Sequence, residues 1–183
     1  MKIQIALFLS LISTLLSAQH EQHSQANNPI DTLKKSIPKE VHAQIGGSHI
    51  IIKYHAPAVR GRTIWGGLVP YGEVWVTGAH SATIFEIDKN FVVGEKSIAA
   101  GKYSLFTIPG KDQWTIIINK NWEQHLADEY DQKDDVVRLM VAPEPQDLLQ
   151  ERLKYIIIPE TDSKGVLSIR WEKIKVSMPF QIK

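Results

Sequence analysis

The feature that most constrains this chain is a period-two alternation of apolar and polar residues, repeated in short segments over most of its length. In SHIIIKYH, Ile50, Ile52 and Tyr54 fall on one face, because successive side chains of a strand point to opposite sides. Similar segments are ATIFEID, KYSLFTIPG, QWTIIINK, VVRLMVAP, RLKYIIIPE, VLSIRWEK and IKVSMPF. Each such strand has one face to bury, and another sheet is the available partner. The pattern predicts an all-β fold of eight or nine short strands, either an antiparallel, jelly-roll-like β-sandwich or a small barrel.

Helical patterns are scarce in the sequence. NWEQHLADEYDQKDD and EPQDLLQER could each hold a turn or two of helix, but neither carries a sustained apolar stripe. There is no internal repeat and no shift in composition after residue 40. We therefore expect one domain over residues 41–183.

The amino-terminal residues are typical of an export signal. Lys2 precedes an uncharged apolar run over residues 3–17, and the small residue Ala18 follows at the expected cleavage point. The segment 1–18 is predicted to be a signal peptide, which would deliver the protein to the periplasm or the extracellular space. Cleavage after Gln19 is an alternative, and it would leave His20 at the new amino terminus, where amine and imidazole could chelate copper.

Residues 19–40 are polar and rich in Gln, Asn and His, so we expect a flexible arm. The full chain has a formal net charge of +1, and removing the signal peptide with its lysine brings that charge close to zero. A neutral chain argues against nucleic acid or an anionic membrane as a partner, since both require a net basic face. After the signal, no uncharged apolar run reaches the about 20 residues of a membrane span.

Cysteine is absent from the sequence. Disulfides, thiolate metal sites and a cysteine-anchored lipoprotein are therefore excluded. The predicted domain must be stabilised by its core alone, and a domain of this length buries enough apolar surface for that.

The stretch YHAPAVRGRTIWGGLVPYGEVWVTGAHSAT interrupts the alternation for about 25 residues. Connections longer than about 12 to 15 residues are usually functional or disordered. Disorder is not expected here, because Ile64, Trp65, Leu68 and Trp75 make the stretch too apolar to stay solvated. We predict a long Gly- and Trp-rich loop that caps one end of the sandwich, with glycines supplying positive φ angles and close backbone approaches.

This stretch, together with the later segments KYSLFTIPG and WTIIIN, resembles a family of small secreted bacterial proteins described as a domain of unknown function, numbered twenty-nine eleven. The resemblance covers about residues 40–183. It implies export and a single compact domain, and it carries no established activity. Many members read Ser-Arg where this chain has His55-Ala56, Arg at Val76, and Asn-Glu at His80-Ser81, so a site built on those arginines does not transfer to this chain.

The arginines and aromatic residues of the loop favour a binding site. Arg60 and Arg62 flank Gly61, so both guanidinium groups could project to one side and hold a carboxylate or sulfate. Tryptophan and tyrosine offer flat apolar faces for sugar rings or other amphipathic ligands. The alternative is that the arginines pair with surface carboxylates while the tryptophans only plug the sandwich. The candidate ligand-binding residues are Arg60, Arg62, Trp65, Tyr71, His55 and His80.

A metal site is the competing hypothesis. His55 ends one strand and His80 precedes the next, so both imidazoles could meet at one rim and, with Glu73 or Glu86, hold zinc, iron or copper. Serine catalysis is not favoured, because the chain lacks a Gly-x-Ser-x-Gly elbow.

The sequence thus predicts an exported protein that binds a small molecule or carbohydrate and needs no cofactor. Its alternative is a metal-dependent hydrolase or oxidase built on the two histidines.

Overall fold

The computed structural model describes residues 35–183. The predicted signal peptide and residues 19–34 of the predicted arm lie outside this range. The strands are β1 (Ile37–Ile45), β2 (Ser48–Ala56), β3 (Thr83–Ile87), β4 (Phe91–Val93), β5 (Lys96–Ile98), β6 (Gly101–Ile108), β7 (Trp114–Asn119), β8 (Asp135–Val141), β9 (Glu144–Pro159) and β10 (Lys164–Ile182). One 3₁₀ turn, Gln132–Asp134, precedes β8, and the described residues contain no α-helix.

The strands form two antiparallel sheets, which confirms the predicted sandwich and not the barrel. The larger sheet has the order β1-β2-β3-β6-β7-β8, and the smaller has the order β5-β4-β10-β9. The inward faces of both sheets share one hydrophobic core. The alternation in β2 is confirmed, since Ile50, Ile52 and Tyr54 are all buried in that core.

The amino-terminal boundary of the domain differs from the prediction. β1 starts at Ile37, inside the predicted arm, and pairs with the whole of β2. Its burial is incomplete, because it is an edge strand with one half-buried face, and an edge position also tolerates Pro38. A strand of this kind carries a weak alternation signal, which explains why the sequence pattern missed it.

Two further differences arise where β9 pairs with β10. The predicted strands VLSIRWEK and IKVSMPF are one long β10, whose register with β9 shifts on either side of Glu172. Glu172 faces Gln150 and Ile174 faces Pro145, so β9 has extra residues between those partners. The segment EPQDLLQER, which could have held helix, instead forms the start of β9, and this irregular pairing exposes Leu148 and Leu149.

The described residues contain no helix long and apolar enough to cross a membrane.

Candidate functional site

The long loop predicted as a cap, residues 57–82, connects the two sheets through backbone hydrogen bonds, and we call it the capping segment. Near its start, Leu153 N–H donates to Pro57 O (3.0 Å) and Val59 N–H donates to Glu151 O (2.8 Å), which attaches it to β9 in the smaller sheet. Farther along, Trp75 exchanges two backbone hydrogen bonds with Thr107 of β6 in the larger sheet (2.8 and 3.0 Å). The segment is therefore ordered and closes one end of the sandwich.

A cluster of four tryptophans joins the capping segment, which contributes Trp65 and Trp75, to Trp114 of β7 and Trp171 of β10. Trp75 stacks on Trp171 with ring centroids 5.5 Å apart and an interplanar angle of 20°. Trp65 meets the rings of Trp75, Trp114 and Trp171 edge to face at 5.8, 4.8 and 5.7 Å. Such aromatic pairs stabilise a core beyond the area they bury. The cluster gives this end of the sandwich an apolar base.

A pocket of about 280 Å³ opens between the capping segment and this base. Trp75 and Trp171 line it, and Trp171 is only 1% exposed. The apolar lining residues are Pro57, Ala58, Leu68, Val69, Trp75, Val76, Ala79, Leu126 and Trp171, and the remaining ones are Ser36, Arg60, Arg62, Gly78 and His80. Leu68 and Leu126 are 48% and 38% exposed, so apolar surface is available to an incoming molecule.

The two arginines of the rim differ in how they are held. Arg62 Nε donates to Val59 O (3.1 Å), and its Nη2 donates to Ala58 O, so the backbone fixes the guanidinium position. The backbone N–H of Arg60 donates a hydrogen bond to Glu151 Oε1 (2.8 Å), and this contact does not involve the guanidinium group. Within residues 35–183, neither guanidinium forms a salt bridge with a carboxylate. Among the described residues, neither arginine side chain therefore takes part in a surface ion pair.

Strained backbone is concentrated around the pocket. Non-glycine residues with positive φ in the described chain are Arg60 (53°), Thr77 (49°), His80 (67°), Leu126 (53°) and Glu172 (54°). Three of them line the pocket, and the other two adjoin lining residues in sequence. Positive φ is rare outside glycine, and in a β-branched residue such as Thr77 it is an outlier. Strain of this kind persists where the surroundings hold it and tends to cluster at functional sites.

Hydrogen bonds around Thr77 explain how its conformation is maintained. Its hydroxyl donates to Trp75 O (3.1 Å) and lies 3.0 Å from the hydroxyl of Thr107. Its carbonyl accepts from the hydroxyls of Thr83 (3.1 Å) and Tyr155 (2.6 Å). Burial raises the pKa of the Tyr155 hydroxyl, so that group remains protonated and able to donate. The pocket wall is therefore fixed before any ligand arrives.

Residues 36–180 match the sequence profile of the family described as "Protein of unknown function (DUF2911)". The chain belongs to the DUF2911 family. No curated protein and no solved structure matches it significantly. Membership in DUF2911 therefore confirms the resemblance seen in the sequence, and the description of the family names no reaction or ligand for the pocket.

Of the six candidate ligand-binding residues of this DUF2911 chain, Arg60, Arg62 and His80 line the pocket. The other three do not: Trp65 is part of the tryptophan cluster, Tyr71 is 39% exposed with its ring against Gly66, and His55 lies beside His80. Gly66 has a φ of 75°, and a Cβ added there would lie 2.8 Å from that ring, which explains why glycine stands at this position.

The sequence missed several lining residues. Trp171 lies in the alternating segment VLSIRWEK and is buried, but alternation could not show that it borders a pocket. Leu126 comes from the segment between β7 and β8, and its N–H donates to His80 O (2.8 Å). This contact joins residues distant in sequence, so no local motif signals it.

The predicted histidine pair does form. The rings of His55 and His80 lie 5.2 Å apart in an edge-to-face arrangement. Burial, and then the nearby charge of His80, lowers the pKa of His55. In the described part of the chain, no group of three His, Asp or Glu residues is placed to hold a metal ion. Of the predicted carboxylate ligands, Glu73 is exposed and Glu86 lies 3.7 Å from Lys102 Nζ.

Proposed function

We propose that this protein binds a small molecule in the pocket between the capping segment and the tryptophan cluster. One observation carries the proposal. The pocket is open, its base includes the stacked rings of Trp75 and Trp171, and two arginines lie at its rim. Neither arginine side chain forms a salt bridge with a carboxylate of the described chain. Binding sites of this kind are concave, mostly apolar and supplied with a few polar groups that fix orientation.

The size and rigidity of the pocket favour a compact ligand. Its volume of about 280 Å³ lies at the lower end of the range for ligand pockets and equals the space of about nine water molecules. The hydrogen bonds that hold Thr77, next to the lining residues Val76 and Gly78, reduce the ordering entropy that is lost on binding. A single ring with a short substituent matches this space, and neutral monosaccharides belong to the same size class.

Export is part of the proposal. We infer that the protein works in the periplasm or outside the cell, on the basis of the apolar run over residues 3–17 that ends at Ala18. A ligand met there would be an environmental or secreted small molecule.

The test is a fragment screen by thermal shift, followed by calorimetric titration of each hit. The fragments are single-ring acids, the matching amides and neutral monosaccharides. Leu68→Ala is expected to weaken every true hit about fivefold, since a ligand would bury the half of this side chain that is now exposed. Leu148→Ala is the matched control, because Leu148 is 82% exposed on β9 and does not line the pocket.

Hits that weaken in Leu68→Ala and not in Leu148→Ala support the proposal. Hits that are unaffected by Leu68→Ala, or a screen without hits, contradict it.

A further inference from the structure

We infer that the ligand of this pocket is a small organic acid, with its apolar body on the Trp75–Trp171 base and its anionic group between Arg60 and Arg62. This inference rests on the proposed function and deepens it by naming the chemical class of the ligand.

The charges around the pocket favour an anion. Two arginines and His80 line it, and no aspartate or glutamate does. Glu151 is a carboxylate near the rim, but its Oε1 accepts the backbone N–H of Arg60, and it forms no salt bridge with either guanidinium. The rim therefore carries two arginines against the single nearby carboxylate of Glu151, which leaves a net positive charge there.

Arg62 supplies a fixed charge. Its two hydrogen bonds go to the carbonyls of Val59 and Ala58, which hold the guanidinium in place without neutralising it. The Nη1 group and one N–H of Nη2 remain to donate elsewhere. Since the position is set beforehand, an incoming anion meets this charge without the entropy cost of ordering a long side chain.

Arg60 supplies the complementary group. Its backbone is held at a φ of 53° by the hydrogen bond to Glu151, and its guanidinium forms no hydrogen bond within the described chain. The planar fork of an arginine matches the two oxygens of a carboxylate, and charge-assisted bonds of this type are about twice as strong as neutral ones. One held arginine and one available arginine at a shared rim form a suitable receptor for a carboxylate.

The apolar lining residues determine the part of the ligand that carries no charge. Trp75, Leu68 and Leu126 present apolar surface, so a purely inorganic anion would leave that surface uncovered. An apolar body bound there gains from burial in proportion to its area. The volume of about 280 Å³ limits the body to about one ring with a short chain.

The experiment compares acids with their uncharged amides: phenylacetate with phenylacetamide, and 3-phenylpropionate with 3-phenylpropionamide. Each is titrated calorimetrically into the wild-type protein and into Arg60→Gln, Arg60→Lys and Arg62→Gln. Lys96→Gln is the control for loss of one positive charge. Lys96 lies on β5, which forms one edge of the smaller sheet, while β9 forms the other edge. Circular dichroism checks that each variant is folded. Arg60→Lys keeps the positive charge but removes the planar guanidinium group.

In the wild-type protein we expect each acid to bind at least about tenfold more tightly than its amide. Arg60→Gln and Arg62→Gln should reduce this ratio to near one with little effect on the amides. Arg60→Lys should give an intermediate ratio, and Lys96→Gln should leave it unchanged. Raising the salt concentration should weaken only the acids.

Equal binding of acid and amide in the wild-type protein would overturn the inference and leave the proposed function standing. An acid preference that survives both glutamine variants would also overturn it. If none of the four compounds binds, while uncharged fragments of other kinds do, the inference fails alone; if no fragment binds, the proposed function fails with it.

Discussion

Glu151 lies outside the lining of the pocket, but its contacts shape the rim. Its carbonyl accepts from Val59 N–H (2.8 Å) and from Trp171 Nε1 (3.3 Å), and its Oε1 accepts from Arg60 N–H (2.8 Å). One residue of β9 thus holds both the strained arginine and the tryptophan base. We regard Glu151 as a positioning residue for Arg60.

Glu151→Ala should therefore weaken binding of phenylacetate about tenfold, because Arg60 loses the acceptor that holds its backbone at positive φ. Glu151→Gln keeps a side-chain carbonyl in the same place and should restore wild-type affinity or exceed it, since a negative charge near the rim is removed. Calorimetry on the two variants provides the measurement. If glutamine fails to rescue the alanine defect, the positioning role is wrong.

The His55 imidazole should titrate at a pH below the ordinary 6.5, first because of burial and second because of His80. Between the two pKa values the unfolded chain binds the proton that the folded chain does not, so the free energy of unfolding decreases as the pH falls from 6.5 toward the folded pKa. His80→Ala should raise the pKa of His55 only part of the way back to 6.5, because burial of the His55 ring still lowers it.

An NMR titration of the imidazole C–H signals in the wild-type protein and in His80→Ala checks this. A wild-type His55 pKa at or above 6.5 would contradict the described packing of the pair.

At the scale of the elements, two tryptophans of the cluster differ in one respect that a mutation can isolate. Trp75 Nε1 donates to Gly78 O (3.1 Å), whereas Trp65 Nε1 is buried and has no hydrogen-bond partner among the described residues. Trp75→Phe should cost about 1 kcal/mol more in unfolding free energy than Trp65→Phe, because it leaves the Gly78 carbonyl without its donor. Urea denaturation followed by circular dichroism measures both. Equal costs, or a larger cost at Trp65, would argue against this arrangement.

The elements also show what sequence patterns can predict. Alternation identified β2, β3, β6 and β7, because each has a well-buried face, and it also identified β8, which has one half-buried face around the buried Val137. It missed the half-buried β1 and the three-residue β4 and β5, which are too short or too exposed to carry a period. It divided β10 in two between Lys173 and Ile174, because the bulge beside Glu172 changes which side chains face inward.

The candidate site was less predictable than the strands. Local sequence indicated the loop, its arginines and His80, since unusual composition over a long connection is visible without a structure. The contribution of Trp171, Leu126 and Glu151 depends on contacts between residues far apart in the chain. Positive φ angles at Arg60 and Thr77 are likewise set by those contacts and not by residue type.

At the scale of the whole molecule, the fold provides a rigid sandwich with one end closed by the capping segment. The closure spans both sheets, and the pocket lies where the capping segment meets Trp171 of β10 and Leu126 of the connection between β7 and β8. Outside the pocket, Asp88 Oδ2 lies 3.0 Å from His49 Nδ1. A hydrogen bond from Ser48, and then one from His49, lowers the pKa of Asp88 to about 2, so this carboxylate stays charged.

The most direct test of the pocket as a binding site uses the five tryptophan indole N–H groups as internal reporters. Uniformly ¹⁵N-labelled protein is titrated with phenylacetate, and the five indole signals, assigned through single Trp→Phe variants, are followed by NMR. We predict that the signals of Trp75 and Trp171 move most, while that of Trp122, which lines a separate surface depression, stays in place. Saturable shifts at Trp122 without shifts at Trp75 and Trp171, or no shift at any indole, would contradict the assignment of this pocket as the binding site.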